Sequence, residues 1–251
     1  MTVNKVIVAI GGGEFRKNET LLIDKEIVSL AKKQSPKLLF IPTASSDSQS
    51  YFDSIKNYFT GLGCQCDVLY LLDKSLSFED IQNKILSTDI IYVGGGNTLK
   101  MMRRWRKLKV DKLLKTAWEK GVVLSGISAG SICWFDFGHS DSALSYYRSS
   151  SNSIKVKGLG FLKGIHCPHY NSESEGVPRK EDFIKMIQKT GGIGIAIDEA
   201  CAIKFVNEEF QVIQSKKNAH AYRLFKKNGK VVSSKIDEHK SLKPIKDLYN
   251  Y

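Results

Sequence analysis

The stretch that decides the fold is Val122–Gly130, VVLSGISAG, in which an apolar run ends in a glycine-flanked serine. The run Val122–Ile127 predicts a buried strand, and the residues after Ser128 predict a helix. A serine at such a sharp turn has its Oγ lifted clear of the sheet. The backbone N–H groups that begin the helix, and the positive end of its dipole, favour a negatively charged oxygen. We therefore predict that Ser128 is a nucleophile; the alternative is an ordinary glycine turn.

Strand-like apolar runs alternate with helix-like segments on both sides of this turn. Val6–Ile10, Lys37–Ile41 and Asp89–Val93 are short apolar runs, each followed by turn residues and a helical pattern. This alternation predicts an α/β fold with a mostly parallel sheet covered by helices on both faces. In the C-terminal third, short alternating segments and a turn at Asn228-Gly229 predict antiparallel edge strands that complete one mixed sheet. No linker or repeat is evident, so we expect a single domain over residues 1–251.

The composition is that of an ordinary globular protein, with 42% hydrophobic and 25% charged residues. Lys and Arg outnumber Asp and Glu by 38 to 26, which gives a net charge of +12. The excess is diffuse, and the basic segment Lys100–Lys115 has the apolar spacing of an amphipathic helix with a solvated basic face. We therefore expect no nucleic-acid partner; steep salt-dependent binding to DNA or RNA would contradict this.

The N-terminal segment MTVNKVIVAIGGG predicts a first buried strand rather than a signal peptide. No apolar stretch approaches the ~20 residues that a membrane-spanning helix requires, so no membrane partner is expected. These features favour a cytoplasmic protein, in which the five cysteines would be reduced. Their odd number and scattered positions also argue against a disulfide framework. The sequence is compatible with a homodimer.

A second glycine run, Gly94–Thr98 (GGGNT), also links a predicted strand to a predicted helix. In a parallel sheet both loops lie at the carboxyl ends of strands, where ligands bind. Because glycine lets the backbone approach a substrate closely, this run can supply an oxyanion donor opposite that of Ala129. The alternative is a tight turn that caps a helix. Neither this run nor Gly11–Gly13 has the spacing of a nucleotide-binding loop, and we expect no cofactor.

A serine nucleophile needs a base, normally histidine, and the chain has five. His169 is favoured because it stands just past a predicted strand end, where it can reach the carboxyl edge of the sheet. His139, in a Ser-rich segment predicted to be a loop or irregular hairpin, is the competitor. His166 lies inside a predicted strand and is expected to be a core histidine. His220 and His239 are expected at the solvated surface.

A carboxylate has to orient the histidine and stabilise its charged form. Asp198 and Glu199 end a predicted strand at the expected edge of the sheet. Alternation along the strand puts their side chains on opposite faces, so at most one of them can serve. Asp141 is a third candidate. Neither Cys64-Gln65-Cys66 nor the histidines near Cys167 have zinc-site spacing, and no metal is expected.

Six segments, taken together, resemble the peptidase E family of serine peptidases, which includes aspartyl dipeptidase and the more distant cyanophycinases. In family order they are IGGGE at Ile10–Glu14, IPTAS at Ile41–Ser45, GGGNT at Gly94–Thr98, GISAG at Gly126–Gly130, PHY at Pro168–Tyr170 and GIAIDE at Gly194–Glu199. The resemblance implies a flavodoxin-like, three-layer α/β/α sandwich related to the class I glutamine amidotransferases.

The resemblance also implies the roles of the catalytic residues. Ser128 becomes the nucleophile, His169 the base and Glu199 the third member of the triad. Asp141 and Asp198 are the alternatives for that third position.

The same resemblance implies an oxyanion hole made by Gly95, Gly96 and Ala129. Family members that remove an N-terminal aspartate hold its carboxylate with an arginine in the loop after the histidine. Arg179 is the only arginine in this loop, and a bidentate guanidinium suits a carboxylate. The alternative for Arg179 is a surface residue at a helix start. Asn97 is the second expected substrate-binding residue.

These observations predict a serine exopeptidase or dipeptidase that hydrolyses short peptides, with N-terminal aspartate as a candidate preference. The alternative is a catalytically inactive α/β protein of the same fold that binds a small ligand or a peptide.

Overall fold

The computed structural model describes residues 3–142, 153–174, 176–239 and 241–250. Its strands are β1 (Val6–Ile10), β2 (Lys37–Ile41), β3 (Gln65–Val68), β4 (Ile90–Val93), β5 (Val123–Ile127), β6 (Phe135–Ser140), β7 (Ile154–Lys157), β8 (Leu162–Cys167), β9 (Glu173–Ser174), β10 (Val177–Pro178), β11 (Gly194–Ile197), β12 (Cys201–Val206), β13 (Glu209–Gln214), β14 (Ala221–Lys227), β15 (Lys230–Ile236) and β16 (Lys243–Pro244). Its helices are α1 (Leu21–Leu30), α2 (Gln49–Gly61), α3 (Phe78–Leu86), α4 (Thr98–Lys107), α5 (Val110–Glu119), α6 (Ala129–Ile132), α7 (Arg179–Thr190) and α8 (Lys246–Tyr249), with short 3-10 helices at Phe15–Lys17 and Thr43–Ser45.

The larger sheet has eight strands in the order β3-β2-β4-β5-β1-β12-β13-β16. The first five pair in parallel, and β12, β13 and β16 extend the sheet antiparallel from β1. Because β5 and β4 are neighbours near the middle of the sheet, their carboxyl ends open side by side. The serine turn and the GGGNT turn follow these ends.

Helices cover both faces of this sheet, because successive side chains of each strand point to opposite faces. In β1, Val6, Val8 and Ile10 join the core cluster that includes buried residues of α1 and α2. Ile7 and Ala9 join the opposite cluster, which includes buried residues of α3, α4 and α5. This arrangement confirms the predicted α/β fold class.

A second sheet was not foreseen from the sequence. It has six strands in the order β7-β6-β8-β11-β14-β15, of which β6, β8 and β11 are parallel. The expectation of one mixed sheet is therefore wrong: β14 and β15 extend the second sheet, while β13 and β16 extend the first. The predicted hairpin turn is confirmed, since Asn228 and Gly229 both have positive φ (50° and 78°), as a tight two-residue hairpin requires.

The segment Phe137–Lys157, predicted as a loop or irregular hairpin, begins and ends in paired strands. β6 and β7 are antiparallel, with Phe137 opposite Lys157 and Ser140 opposite Ile154. Residues 143–152 of this segment lie outside the described part. Serine, glycine and tyrosine made the segment look like a loop, but in β6 the side chains of His139 and Ser140 are buried and hydrogen-bonded.

Among the described residues, no helix combines the length and apolar character needed to cross a lipid bilayer.

Candidate active site

Ser128 occupies the turn between β5 and α6 with φ 58° and ψ −117°. A positive φ is uncommon for a residue with a side chain, and such backbone strain costs about 1–3 kcal/mol. Hydrogen bonds hold the turn: the Ser128 N–H donates to Ile10 O at 3.2 Å, and its carbonyl accepts from Ser131 and Ile132. Helix α6 has only four residues, so local N–H groups rather than a long helix dipole act at this turn.

Small residues are required around the serine because backbone passes very close to it. A Cβ atom added at Gly126 would overlap the Gly130 carbonyl, and one added at Gly130 would overlap the Val93 carbonyl. The flanking glycines therefore pack the end of β5 against α6 and the end of β4.

The GGGNT turn lies directly beside Ser128. A Cβ placed on Gly95 would be 3.7 Å from Ser128 Oγ. The Gly95 N–H faces the Tyr51 hydroxyl, which partly offsets the burial that raises the pKa of Tyr51 to about 12. Within the described part of the chain, the N–H groups of Gly96 and Ala129 donate to no acceptor, and both residues line the same pocket as Ser128.

Asn97 begins α4 as its N-cap, because its Oδ1 accepts the Lys100 N–H at 2.9 Å. Its amide nitrogen donates to the Ser142 carbonyl at 3.4 Å. The side chain thus both caps the helix and closes one wall of the pocket beside the serine.

His169 follows the end of β8, and its N–H donates to Gly11 O at 3.0 Å. Its Nδ1 lies 3.0 Å from Glu199 Oε1, and this hydrogen bond lowers the pKa of Glu199. The Glu199 backbone is fixed in turn, because its N–H donates to Asn171 Oδ1 at 2.9 Å. A Cβ at Gly12 would overlap His169 Nδ1, so the first glycine run makes room for the imidazole.

The other two candidate carboxylates, Asp198 and Asp141, pair with groups other than His169. Asp198 Oδ2 accepts the His220 N–H at 2.9 Å, and burial raises the pKa of Asp198. Asp141 Oδ2 pairs with Arg179 Nη1 at 3.3 Å. Of the three carboxylates, the structure brings only Glu199 to the imidazole, as strand alternation predicts for the Asp198–Glu199 pair.

Arg179 is the first residue of α7 and is only 4% exposed, so the alternative of a surface residue at a helix start is wrong. Its Nε donates to Pro168 O at 3.1 Å and its Nη2 to His139 O at 3.4 Å. Two carbonyls and one carboxylate therefore fix the guanidinium in the pocket wall.

A pocket of about 420 Å³ brings most of the predicted site together. The predicted residues that line it are Gly96, Asn97, Ser128, Ala129, Asp141, His169 and Arg179. Sequence reasoning did not assign Thr98, Ile132, Ser140, Ser142 and Pro168 to this lining. Ser140 and Ser142 flank the carboxyl end of β6, and recognising β6 as a strand would have pointed to them.

The remaining histidines have other surroundings. His166 is a core histidine, as expected, bonded to Ile195 O and Ser131 Oγ, and burial lowers its pKa to about 3. His139 lies in β6, fully buried, not in a loop. His239 is exposed, whereas His220 is half-buried.

His139 has its own carboxylate, with Nε2 2.9 Å from Asp182 Oδ2 and Nδ1 3.5 Å from Cys167 Sγ. Burial opposes the positive charge on His139, but Cys167 and the Asp182 hydrogen bond outweigh it and raise the pKa to about 9. This histidine does not line the pocket.

A glycine-flanked serine at a strand-to-helix turn, with a histidine in the same pocket that is hydrogen-bonded to a carboxylate, is the arrangement found in serine hydrolases. The sequence profile of Peptidase family S51 matches residues 7–213. The chain therefore belongs to peptidase family S51, which makes it a peptidase and confirms the resemblance to peptidase E.

Two relatives show how far this similarity extends. The uncharacterized peptidase YgaJ of Bacillus subtilis (strain 168) is 38% identical over 222 residues, which cover 88% of this chain and 92% of the relative. The uncharacterized peptidase Lmo0363 of Listeria monocytogenes is 27% identical over 161 residues, which cover 63% of this chain and 76% of the relative.

Two solved structures share the fold. A peptidase from an acI-B1 Actinobacterium superposes with a TM-score of 0.70 at 18% identity, covering 97% of this chain and 98% of the other. A putative peptidase E protein from Listeria monocytogenes EGD-e superposes with a TM-score of 0.63 at 20% identity, covering 84% and 99%.

Proposed function

We propose that this chain is a serine-type exopeptidase or dipeptidase that hydrolyses short peptides through an acyl-enzyme on Ser128. The observation that best supports the proposal is the shared pocket: Ser128 and His169 both line it, and Glu199 holds His169 at 3.0 Å. Family membership supplies the peptidase class.

The proposed reaction uses the two nitrogens of His169 differently. Because Nδ1 is bonded to Glu199, Nε2 is the nitrogen that takes the proton from Ser128 Oγ as Oγ attacks the peptide carbonyl carbon. The negative oxygen that forms accepts hydrogen bonds from the N–H groups of Gly96 and Ala129. His169 then gives the proton to the leaving amine, and the C–N bond breaks.

Hydrolysis of the acyl-enzyme repeats the same steps with water. A water molecule gives one proton to His169 while its oxygen attacks the ester carbonyl. The ester bond then breaks, Ser128 recovers its proton from His169, and the acyl group leaves as a carboxylic acid.

The pocket wall suggests the substrate. A volume of about 420 Å³ suits a short peptide, and Arg179 places a buried guanidinium in that wall. A guanidinium recognises a carboxylate through paired hydrogen bonds, so N-terminal aspartate is the proposed preference. We also propose a single domain, a cytoplasmic location, and small peptides rather than nucleic acid or membrane as partners.

A labelling experiment and a substrate panel test this proposal together. A fluorophosphonate should add its mass to the wild type at Ser128 and leave Ser128→Ala unmodified. A panel of dipeptides with Asp, Asn, Ala or Lys at the N-terminus should show cleavage by the wild type, fastest for Asp, and none by Ser128→Ala. Absence of both labelling and cleavage in the wild type would favour the catalytically inactive binding protein.

A further inference from the structure

Among the described residues that line the pocket, Asp141 carries the one acidic group. Asp141 follows the end of β6, and its side chain is 47% exposed. Oδ2 pairs with Arg179 Nη1 at 3.3 Å, whereas Oδ1 has no hydrogen-bond donor among the described residues. The carboxylate therefore presents an open oxygen to the pocket in which the substrate is proposed to bind.

The two side chains of this ion pair differ in how firmly neighbouring groups hold them. Arg179 is 4% exposed and is bonded to the carbonyls of Pro168 and His139, so the guanidinium is fixed. A buried guanidinium requires a counter-charge, and Asp141 supplies it across a long, single contact of 3.3 Å. Such a contact is easily exchanged for a better one.

A substrate whose N-terminal residue carries both a carboxylate and an α-ammonium matches this pair charge for charge. Its carboxylate can bind Arg179 in place of Asp141, and its ammonium can then bind the carboxylate that Asp141 has freed. A substrate with a blocked amine would instead bring a second negative charge beside Asp141 with nothing to balance it, which is unfavourable.

We propose that Asp141 binds the free α-ammonium of the substrate's N-terminal residue and thereby restricts the pocket to unblocked N-termini. The inference rests on the proposed function and extends it, because it explains why cleavage would be confined to the end of a peptide. It also assigns Asp141 to specificity and not to the orientation of His169, which Glu199 performs.

The test compares aspartyl p-nitroanilide carrying a free amine with its N-acetyl form. The wild type should cleave the free-amine compound far faster. Asp141→Asn should lower kcat/KM for that compound roughly 10- to 100-fold, the range expected for losing a charge-assisted hydrogen bond, and should change the N-acetyl rate little. Asp141→Glu, which keeps the charge, should retain part of the preference.

Glu173→Gln is the matched control, because it removes one exposed negative charge from β9 and should leave both rates unchanged. An equal loss on both compounds in Asp141→Asn would overturn the inference, since it would mean that Asp141 acts on the chemistry or on the fold. Equal rates on the two compounds in the wild type would overturn it as well.

A binding measurement separates failure of this inference from failure of the proposed function. Calorimetric titration of Ser128→Ala with Asp-Leu and with N-acetyl-Asp-Leu needs no catalysis. Tighter binding of Asp-Leu that is lost in Ser128→Ala/Asp141→Asn supports the inference even if the wild type cleaves nothing. No preference for Asp-Leu would overturn it even if the wild type is an active hydrolase.

Discussion

Two histidine–carboxylate pairs lie on either side of the end of β8, His169–Glu199 and His139–Asp182, with nearly equal N···O distances of 3.0 and 2.9 Å. The side chains of the first pair are 27% and 44% exposed, and its histidine lines the pocket. Those of the second are 0% and 14% exposed. The same chemical pair is therefore placed once at a partly exposed site and once in the interior.

The comparison shows that surroundings, and not the pair itself, decide what such a histidine can do. With a pKa of about 9, His139 is protonated at neutral pH and cannot accept a proton from a serine. The Asp182 carboxylate, whose pKa the His139 hydrogen bond lowers to about 2, is its permanent partner. The buried pair ties β6 to α7, the helix that begins with Arg179.

The largest expected effect is on activity, and it distinguishes the His169–Glu199 pair from the His139–Asp182 pair. His169→Gln should lower kcat/KM on a cleaved dipeptide by about 10⁴-fold, because the general base is lost. The folded fraction of His139→Gln should lose far less of its kcat/KM on the same dipeptide. Steady-state kinetics with active-site titration makes the comparison. Similar losses in both variants would break the distinction between the pairs.

The next largest effect is on stability, and it concerns the His139–Asp182 pair. His139→Gln should lower the free energy of unfolding by about 3 kcal/mol near pH 6, since it removes the charged partner of Asp182, whose side chain is only 14% exposed. His239→Gln is the control, because His239 is exposed. Urea unfolding followed by circular dichroism measures the difference.

This stability difference should depend on pH. The folded-state pKa of His139, about 9, lies above its ordinary 6.5, so its stabilisation is complete below pH 6.5 and is lost as pH rises through 9. The pKa of Asp182, about 2, lies below its ordinary 3.8, so its stabilisation is present above pH 3.8 and is lost as pH falls through 2. A difference between wild type and His139→Gln that stays constant from pH 6 to 10 would contradict the charged pair.

A smaller effect tests the space around the first pair. Gly12→Ala places a Cβ where His169 Nδ1 now lies, so the imidazole has to move, and kcat should fall about 100-fold. Gly61→Ala is the matched control, because a Cβ at that glycine meets nothing within 4 Å. Unchanged kcat in Gly12→Ala would show that His169 does not need its present position.

The smallest effect concerns the backbone beneath the nucleophile. Ser128→Gly and Ser128→Ala should both be inactive, but the glycine variant should be more stable by about 1 kcal/mol, because glycine adopts a positive φ without strain. Thermal unfolding of the two variants at one pH gives the difference. Equal stability would mean that the turn at Ser128 stores no backbone strain.

Local signals in the sequence were sufficient for much of the fold. β1 and β2 begin and end where the apolar patterns predict, at Val6–Ile10 and Lys37–Ile41. The glycine-flanked Ser128 lies at the predicted strand-to-helix turn. These features depend on neighbouring residues, whose periodicity and turn chemistry can be read directly.

The division of the strands between two sheets could not be predicted in the same way. Periodicity tells which side of a strand is buried, but not which distant strand lies beside it. β13 and β14 follow each other in the chain yet extend different sheets. The Ser-rich segment Phe137–Lys157 likewise hid the end of β6, whose polar side chains find partners only in the folded interior.

The sequence by itself determined the class of fold, the nucleophile candidate and the family, because each depends on short motifs in a fixed order. Tertiary structure alone decided which carboxylate pairs with which basic side chain. Glu199 meets His169 across 30 residues, and Asp141 meets Arg179 across 38. Such pairs form only where separate strands bring their ends together, and electrostatic attraction selects partners by distance in space and not by position in the chain.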